Sequence, residues 1–317
     1  MRIVSADEID RALTFPALID TLRAAFAGAI VTPKRHHHEI TRPGAKPATH
    51  LIMSAWTGGA PGRGEFIGTK LVNVFPDNGA LNLPAVLGAY VLQSGETGAP
   101  LAVMDGTCLT HWRTAAASAL AASYVARADA ARLLMVGAGA LAPFLIKAHS
   151  AVRPVRYVQV WNHRRARAEK VVAQLRGEGI AASVADDLEQ AARAADIISC
   201  ATLSTTPLVK DAWLSPGAHL DLVGAFNLNM READDAAVVR ARVFIDTEAA
   251  LTEGGDVALA IRSGAVTPAH VETDLAALCR ADRAITRKTG DITLFKSVGA
   301  AVEDLAAAIL VWRKLPQ

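Results

Sequence analysis

Near the start of the chain, apolar residues recur three and four positions apart. "SADEIDRALTFPALIDTLRAAFAGA" therefore predicts a helix, with Ser5 as N-cap and Glu8 at the capping-box position. From about residue 32 to 104 the pattern shortens to β-rich or alternating runs such as "THLIMSAW", "FIGTKLVNVFP" and "GAYVLQSGETGAPLAVMDG". No helical crossover interrupts them, so this stretch predicts a mostly antiparallel sheet with a hairpin turn at "SGETGAP". A long Ala-rich helix follows in "LTHWRTAAASALAASYVARA". Beyond it, strand and helix patterns alternate: "ARLLMVGAGA", "VRYVQVWN", "RARAEKVVAQLRG", "DLEQAARAADIISCAT", "GAHLDLVGAF", "ARVFIDT". Such alternation predicts a parallel, doubly wound sheet. The tail "LFKSVGAAVEDLAAAILVWRKL" predicts a closing helix of the kind that packs back on the first domain.

Length and composition narrow the class. A chain of 317 residues with 51% hydrophobic and 20% charged positions is globular and large enough for two domains. A formal charge of +2 gives no electrostatic basis for binding nucleic acid or an anionic membrane. Cys108, Cys200 and Cys279 are scattered without CxxC spacing, which argues against a disulfide framework and a Cys-based zinc site. The opening "MRIVSADEID" turns acidic at once, with no visible signal peptide, and the apolar runs are too short to span a bilayer. A soluble, cytoplasmic protein is expected.

The strongest local chemistry is "LLMVGAGALAPF", where Gly137, Gly139 and Ala142 fit G-x-G-x-x-G/A between an apolar run and a helix. The first Gly permits the tight turn, and the second lets a pyrophosphate approach the backbone. The third small residue lets helix and strand pack closely. With Ala140 these residues form a candidate cofactor turn, read as dinucleotide binding over a ligand-free Gly-rich turn. The expected fold is thus α/β, a Rossmann-type sheet plus a second α/β domain. At the end of the next strand, "WNHRRAR" places Asn162, His163 and Arg164 where an NAD-preferring site carries Asp or Glu. A carboxylate there repels a 2'-phosphate and these residues can donate to one, so NADP is favoured over NAD.

Other cations and imidazoles are less decisive. Lys70 lies among apolar residues and is either an edge-strand solubiliser or an inward-facing ligand group. Arg113, read near a helix N-terminus, sits against the helix dipole unless an anion is bound there. In "TPKRHHHEI", strand alternation sends Arg35 and His37 to one face and His36 and His38 to the other. The His triplet therefore cannot converge on one ion unaided. No other ligand spacing sits on a convincing helix, so no catalytic metal is expected.

Several segments together resemble the ornithine cyclodeaminase/mu-crystallin family. They are "GTKLVNVFPDNG", "PLAVMDGTCLTHWRTAAASALAA", "VGAGALA", "VWNHR", "GAHLDLVGAFNLNMREADD" and "TLFKSVGAAVEDLAAA", in order across nearly the whole chain. The resemblance implies a homodimer whose subunits carry a substrate-binding and dimerisation domain, here 1–115 with 296–317. A Rossmann domain follows at 116–295, with the active site in the cleft between the two. It also implies that Arg35, Lys70 and Arg113 grip a substrate α-carboxylate and that Thr114 lies by the cofactor. Asn162, His163 and Arg164 match the stretch that holds the 2'-phosphate in NADP-using members.

Within the family, cyclodeaminase chemistry depends on an Asp after the Gly-Gly that ends a Rossmann strand. Here "LVGAFNLNMRE" places Phe226 there, and a phenyl ring neither accepts a proton nor pairs with an ammonium. Asp234 and Asp235 are better read as polar residues at a helix start. The form "VGAF…MREADD" with "RHHH" is most similar to the bacterial branch that reduces Δ1-pyrroline-2-carboxylate and Δ1-piperideine-2-carboxylate. The implied reaction is hydride transfer from NAD(P)H to C2 of a small imino acid, with Phe226 and His37 in the substrate pocket. Alternatives are an ornithine cyclodeaminase, an alanine dehydrogenase-like enzyme or a non-catalytic NADP-binding protein.

Overall fold

The structure, a computed structural model, describes residues 1–58, 65–81, 83–281 and 285–316. It divides into two compact units, Met1–Arg113 with Ala300–Gln317, and Thr114–Gly299. No helix among the described residues is long and apolar enough to cross a membrane.

The first unit opens with β1 (Arg2–Val4), α1 (Ala6–Ala12) and α2 (Phe15–Ala27). Ser5 and Glu8 form the expected capping box. The single predicted helix is two, because Pro16 has no N–H for the carbonyl of Ala12 and its ring collides with that carbonyl in a continuous helix. The chain instead restarts at Thr14, with the proline accommodated in the first turn of α2.

The strands β2 (Ile30–Val31), β3 (His36–Ile40), β4 (Ala48–Thr57), β5 (Phe66–Val74), β6 (Val86–Ser94) and β7 (Pro100–Asp105) follow. The sheet runs β1-β7-β6-β5-β4-β2, with β3 also on β4, and only the β1–β7 pair is parallel. The predicted hairpin turn joins β6 to β7 through Gly98 at φ +72°. One row across the sheet sets Met53 beside Lys70, Lys70 beside Tyr90, and Tyr90 beside Met104, all buried. Their face is covered by the C-terminal helix Ala301–Lys314, which also packs on α2. The opposite face leaves Ile3, Trp56, Leu71 and Leu87 exposed. Helix α3 (Gly106–Val125) comes next, its residues up to Arg113 belonging to this unit.

The second unit contains β8 (Arg132–Val136), α4 (Ala142–Val152), β9 (Tyr157–Trp161), α5 (Arg165–Gly177), β10 (Ala182–Val184), α6 (Leu188–Ala194) and β11 (Ile197–Cys200). After these come β12 (His219–Leu222), α7 (Asp235–Arg240), β13 (Arg242–Ile245), α8 (Gly255–Arg262), β14 (Val271–Asp274), α9 (Leu275–Arg280) and β15 (Thr293–Lys296). The sheet order is β10-β9-β8-β11-β12-β15-β13-β14, every pair parallel. This is the doubly wound Rossmann-type arrangement that the strand-helix alternation predicts. Strand order reverses between β8 and β11, and such a switch point opens a ligand crevice at the strands' carboxyl ends. The start of the predicted tail helix is a strand: "TLFK" is β15, wholly buried between β12 and β13. Residues buried on both sides carry no face signal to separate strand from helix. Helix α10 (Ala301–Lys314) then returns to the first unit.

Candidate active site

Strand β5 lies between β4 and β6, so Lys70 is no edge residue. It faces the core with 1% exposure. Such a cation is tolerable only beside an anion, and Lys70 Nζ lies 2.8 Å from each carboxylate oxygen of Asp304 on α10. Arg113 joins the same cluster, Nη1 donating to Glu303 Oε2 at 2.6 Å and Nε lying 3.0 Å from Asp304 Oδ1. Burial and the nearby Arg113 guanidinium pull Lys70 down to about 8, against the counter-effect of Asp304. The Lys70 ammonium is thus a far better acid than an exposed one. Tyr90 completes the row, its buried hydroxyl without a hydrogen-bond partner among the described residues. Gly68 makes room for that hydroxyl, since a Cβ there lies 1.8 Å from Tyr90 Oη.

Arg113 corrects one expectation. Helix α3 begins at Gly106, where Asp105 caps the first turn through the Cys108 N–H at 2.8 Å, so Arg113 lies well inside the helix. Its charge is answered by Glu303 and Asp304 rather than by the helix end. Glu303, Asp304 and Tyr90 escaped the sequence reading. The available signal was an adjacent acidic pair inside an otherwise apolar closing helix, which has a reason to exist only if cations meet it.

Arg35 directly precedes β3, half-buried, and His37 is exposed on β3 opposite Leu51. His37, Leu51 and Val72 share the face of Lys70, as alternation requires. The rings of His36 and His38 stack at 6.3 Å on the other face, and His38 meets His50 across the strands at 6.3 Å. His50 Nδ1 is in turn 2.8 Å from Asn73 Oδ1.

In the second unit the Gly-rich turn joins β8 to α4. Gly137 has φ +110°, and a Cβ there would meet the Ala201 carbonyl oxygen at 2.5 Å and Thr202 Cγ2 at 3.1 Å. Around Gly139 a Cβ would meet nothing within 4 Å, so backbone is open to a ligand. Ala142 starts α4 and is buried, while Ala140 is exposed. No side chain caps α4, whose first turn carries Pro143 and whose Ala142 N–H turns back on the Gly139 carbonyl at 3.1 Å. These features fit a dinucleotide pyrophosphate. Thr114 is buried. Asn162 follows β9, its amide donating to the Arg164 carbonyl at 3.1 Å, and His163 and Arg164 are exposed beside it. Arg165 is spent on Glu169 and Asp186, whereas the Arg164 side chain has no such partner among the described residues.

Past β12, Phe226 is half-buried and its N–H closes a turn on Gly224. The Asn227 side chain accepts the Asn229 N–H at 2.9 Å. Asp234 caps α7 through the Ala237 N–H at 2.9 Å, which is the helix-start role expected of it.

Residues 51–317 match the model of the ornithine cyclodeaminase/mu-crystallin family. The chain belongs to that family. A Δ1-pyrroline-2-carboxylate reductase of Paracoccus denitrificans is 39% identical over 85% of this chain and 84% of its own. One from Colwellia psychrerythraea is 33% identical over 99% of both chains. The solved Δ1-pyrroline-2-carboxylate reductase of Thermococcus litoralis, in complex with NADH and L-proline, superposes with a TM-score of 0.93 at 29% identity. It covers 99% of this chain and 97% of that one. This ornithine cyclodeaminase/mu-crystallin family member is an NAD(P)-dependent oxidoreductase.

Proposed function

We propose that the protein reduces a cyclic ketimine carboxylate, Δ1-pyrroline-2-carboxylate or Δ1-piperideine-2-carboxylate, to L-proline or L-pipecolate. The observation that carries this reading is the meeting of two buried cations, Lys70 and Arg113, on one carboxylate. Buried cations of this kind recognise a carboxylate, and Arg113 offers the planar fork that suits one. Arg35, just outside β3, is the third arm. NAD(P)H, held at Gly137, Gly139 and α4, supplies a hydride for C2 of the imine. Lys70, shifted to about 8, supplies the proton when the imine arrives neutral, so that C=N becomes CH–NH with one hydride and one proton gained. Phe226 offers the ring methylenes an apolar surface and leaves no base for a distal amine, which disfavours ornithine cyclisation.

NADP is the preferred cofactor on this reading. The support is the absence of an acidic side chain at Asn162, together with an Arg164 and a His163 exposed beside it. A homodimer is proposed from the first unit's outer sheet face, where Ile3, Trp56, Leu71 and Leu87 form an uncovered apolar surface. The deciding measurement is a panel of initial rates: both cyclic imines, ornithine, and pyruvate with ammonia, each with NADPH and NADH. Cyclic imines with NADPH are expected to dominate, and Lys70→Ala or Arg113→Ala to remove turnover while cofactor binding persists. Ammonia release from ornithine without imine turnover, or unchanged turnover in both variants, overturns the assignment.

A further inference from the structure

The second unit buries a group of ionisable residues that the hydride-transfer chemistry leaves unused. Glu232, Asp256 and Lys296 are all fully buried. Glu232 lies at the end of the segment after β12, Asp256 in the first turn of α8, and Lys296 at the end of β15. The Glu232 carboxylate accepts four donors. Oε1 takes the Thr202 N–H at 2.6 Å and the Thr202 hydroxyl at 2.9 Å. Oε2 takes the N–H groups of Gly224 and Ala225 at 2.7 and 3.2 Å. One side chain therefore ties the loop after β11 to the loop after β12.

Both loops leave the carboxyl edge of the sheet beside the switch point, where the fold places a dinucleotide. Thr202 also packs directly on the cofactor turn, its Cγ2 being 3.1 Å from the Cβ position of Gly137. Behind Glu232, Asp256 Oδ1 accepts the N–H groups of Glu232 and Ala233 at 2.7 and 2.9 Å, and Lys296 Nζ donates to Asp256 Oδ2 at 3.2 Å. The packing leaves no slack: a Cβ on Gly224 would lie 2.2 Å from Thr202 backbone and 2.4 Å from Glu232 Oε1.

We propose that Glu232 is a positioning residue for nicotinamide-cofactor binding, acting through Thr202 and Gly224 on the two loops that flank the Gly137 turn. The proposal rests on cofactor binding and not on the identity of the imine. A carboxylate has about four acceptor sites, and here all are occupied. A proton on either oxygen must displace a donor, and so must the amide of a glutamine, which turns N–H groups toward N–H groups. Burial first, and the neighbouring Asp256 second, push Glu232 up to about 7, against the pull of Lys296 and the Thr202 donors. Cys200 on β11 and Asp221 on β12 are the other titratable groups of this buried neighbourhood. Ionisation of Glu232 near neutral pH thus changes the fit of the cofactor loops.

The test is fluorescence titration of NADPH and NADH against the full-length protein, its Glu232→Gln and Thr202→Val variants, from pH 6 to 8.5. Circular dichroism of each variant accompanies the titration. Glu232→Gln is expected to weaken the cofactor about tenfold or more, the worth of a hydrogen bond to a charged group, with the circular dichroism spectrum retained. Thr202→Val, which removes one of the four donors, is expected to weaken it several-fold. In the unaltered protein the dissociation constant should fall as pH rises through about 7, and this slope should vanish in Glu232→Gln. Should Glu232→Gln fail to fold, Thr202→Val decides. Unaltered protein that binds neither cofactor overturns the cofactor assignment itself. Tight binding by the unaltered protein, matched by Thr202→Val and every folded Glu232 variant, overturns the positioning role alone.

Discussion

Lys70, Arg113, Glu303 and Asp304 bring two cations and two anions into the first unit, whereas Glu232, Asp256 and Lys296 bring two anions and one cation into the second. In the first, charge answers charge directly, and every member is held by a partner of opposite sign. In the second, the surplus negative charge is answered by backbone and hydroxyl donors, which the chain supplies only by shaping loops around the acid. A balanced ion cluster keeps its cations charged inside the core, where on the proposed function they meet a carboxylate ligand. An acid cradled by N–H groups cannot trade its partners without moving backbone. On the proposed function the first cluster meets a substrate, and on the inference drawn above the second holds a shape.

The sharpest way to break this contrast is Asp304→Ala, which strands Lys70 in the core and leaves Arg113 to Glu303 alone. Removing one partner of a buried pair costs about 3–5 kcal/mol, so urea unfolding should show a loss of that size. A loss below about 1 kcal/mol would mean that the cations find water or other anions, and that the cluster is not a closed one.

The next test is pH, where the clusters act in opposite directions. Glu232 is held near 7 against an ordinary 4.5, so the unfolded chain gives up this proton first. Its contribution to stability is complete below about 4.5 and is lost as pH rises through about 7. Lys70 is held near 8 against an ordinary 10.5, so its contribution is complete above about 10.5 and is lost as pH falls through about 8. Melting temperature should therefore decline on the acid-to-neutral side and recover on the alkaline side. Glu232→Gln should flatten the first limb and Lys70→Met the second. Limbs that survive both substitutions would assign the pH dependence to other groups.

The smallest expected effect lies outside both clusters. His36→Ala and His38→Ala remove exposed rings on the face away from Lys70, and each should change stability by less than about 0.5 kcal/mol and leave turnover near its starting value. A large fall in turnover in either would bring the His triplet back into the site.

What the sequence made legible divides along the same line as the clusters. The Gly137 turn could be read because its chemistry is local: a strand, a glycine at positive φ and an uncapped helix lie within a dozen or so residues. The His triplet yielded to simple alternation, since β3 is a regular strand. Lys70 stayed ambiguous because strand pattern alone cannot say whether a neighbour covers its face, and Asp304 lies 234 positions away. Glu303, Asp304 and Glu232 were missed for that reason. Each acts on groups brought near only by the finished fold. The break at Pro16 was legible in principle, but the apolar periodicity running through it masked a proline that a continuous helix cannot hold.

The 234 positions between Lys70 and Asp304 also bear on the order in which the chain matures. A ribosome delivers β4 through β7, and then the whole second unit, before α10 emerges. The second unit has its full set of strands by then and is free to fold by itself. The first must wait, its sheet lacking a lid and its two inward cations lacking their acids. A fragment ending at residue 299 and released from the ribosome should accordingly show a protease-resistant second unit beside a digestible first one, with α10 the latch that the first unit awaits.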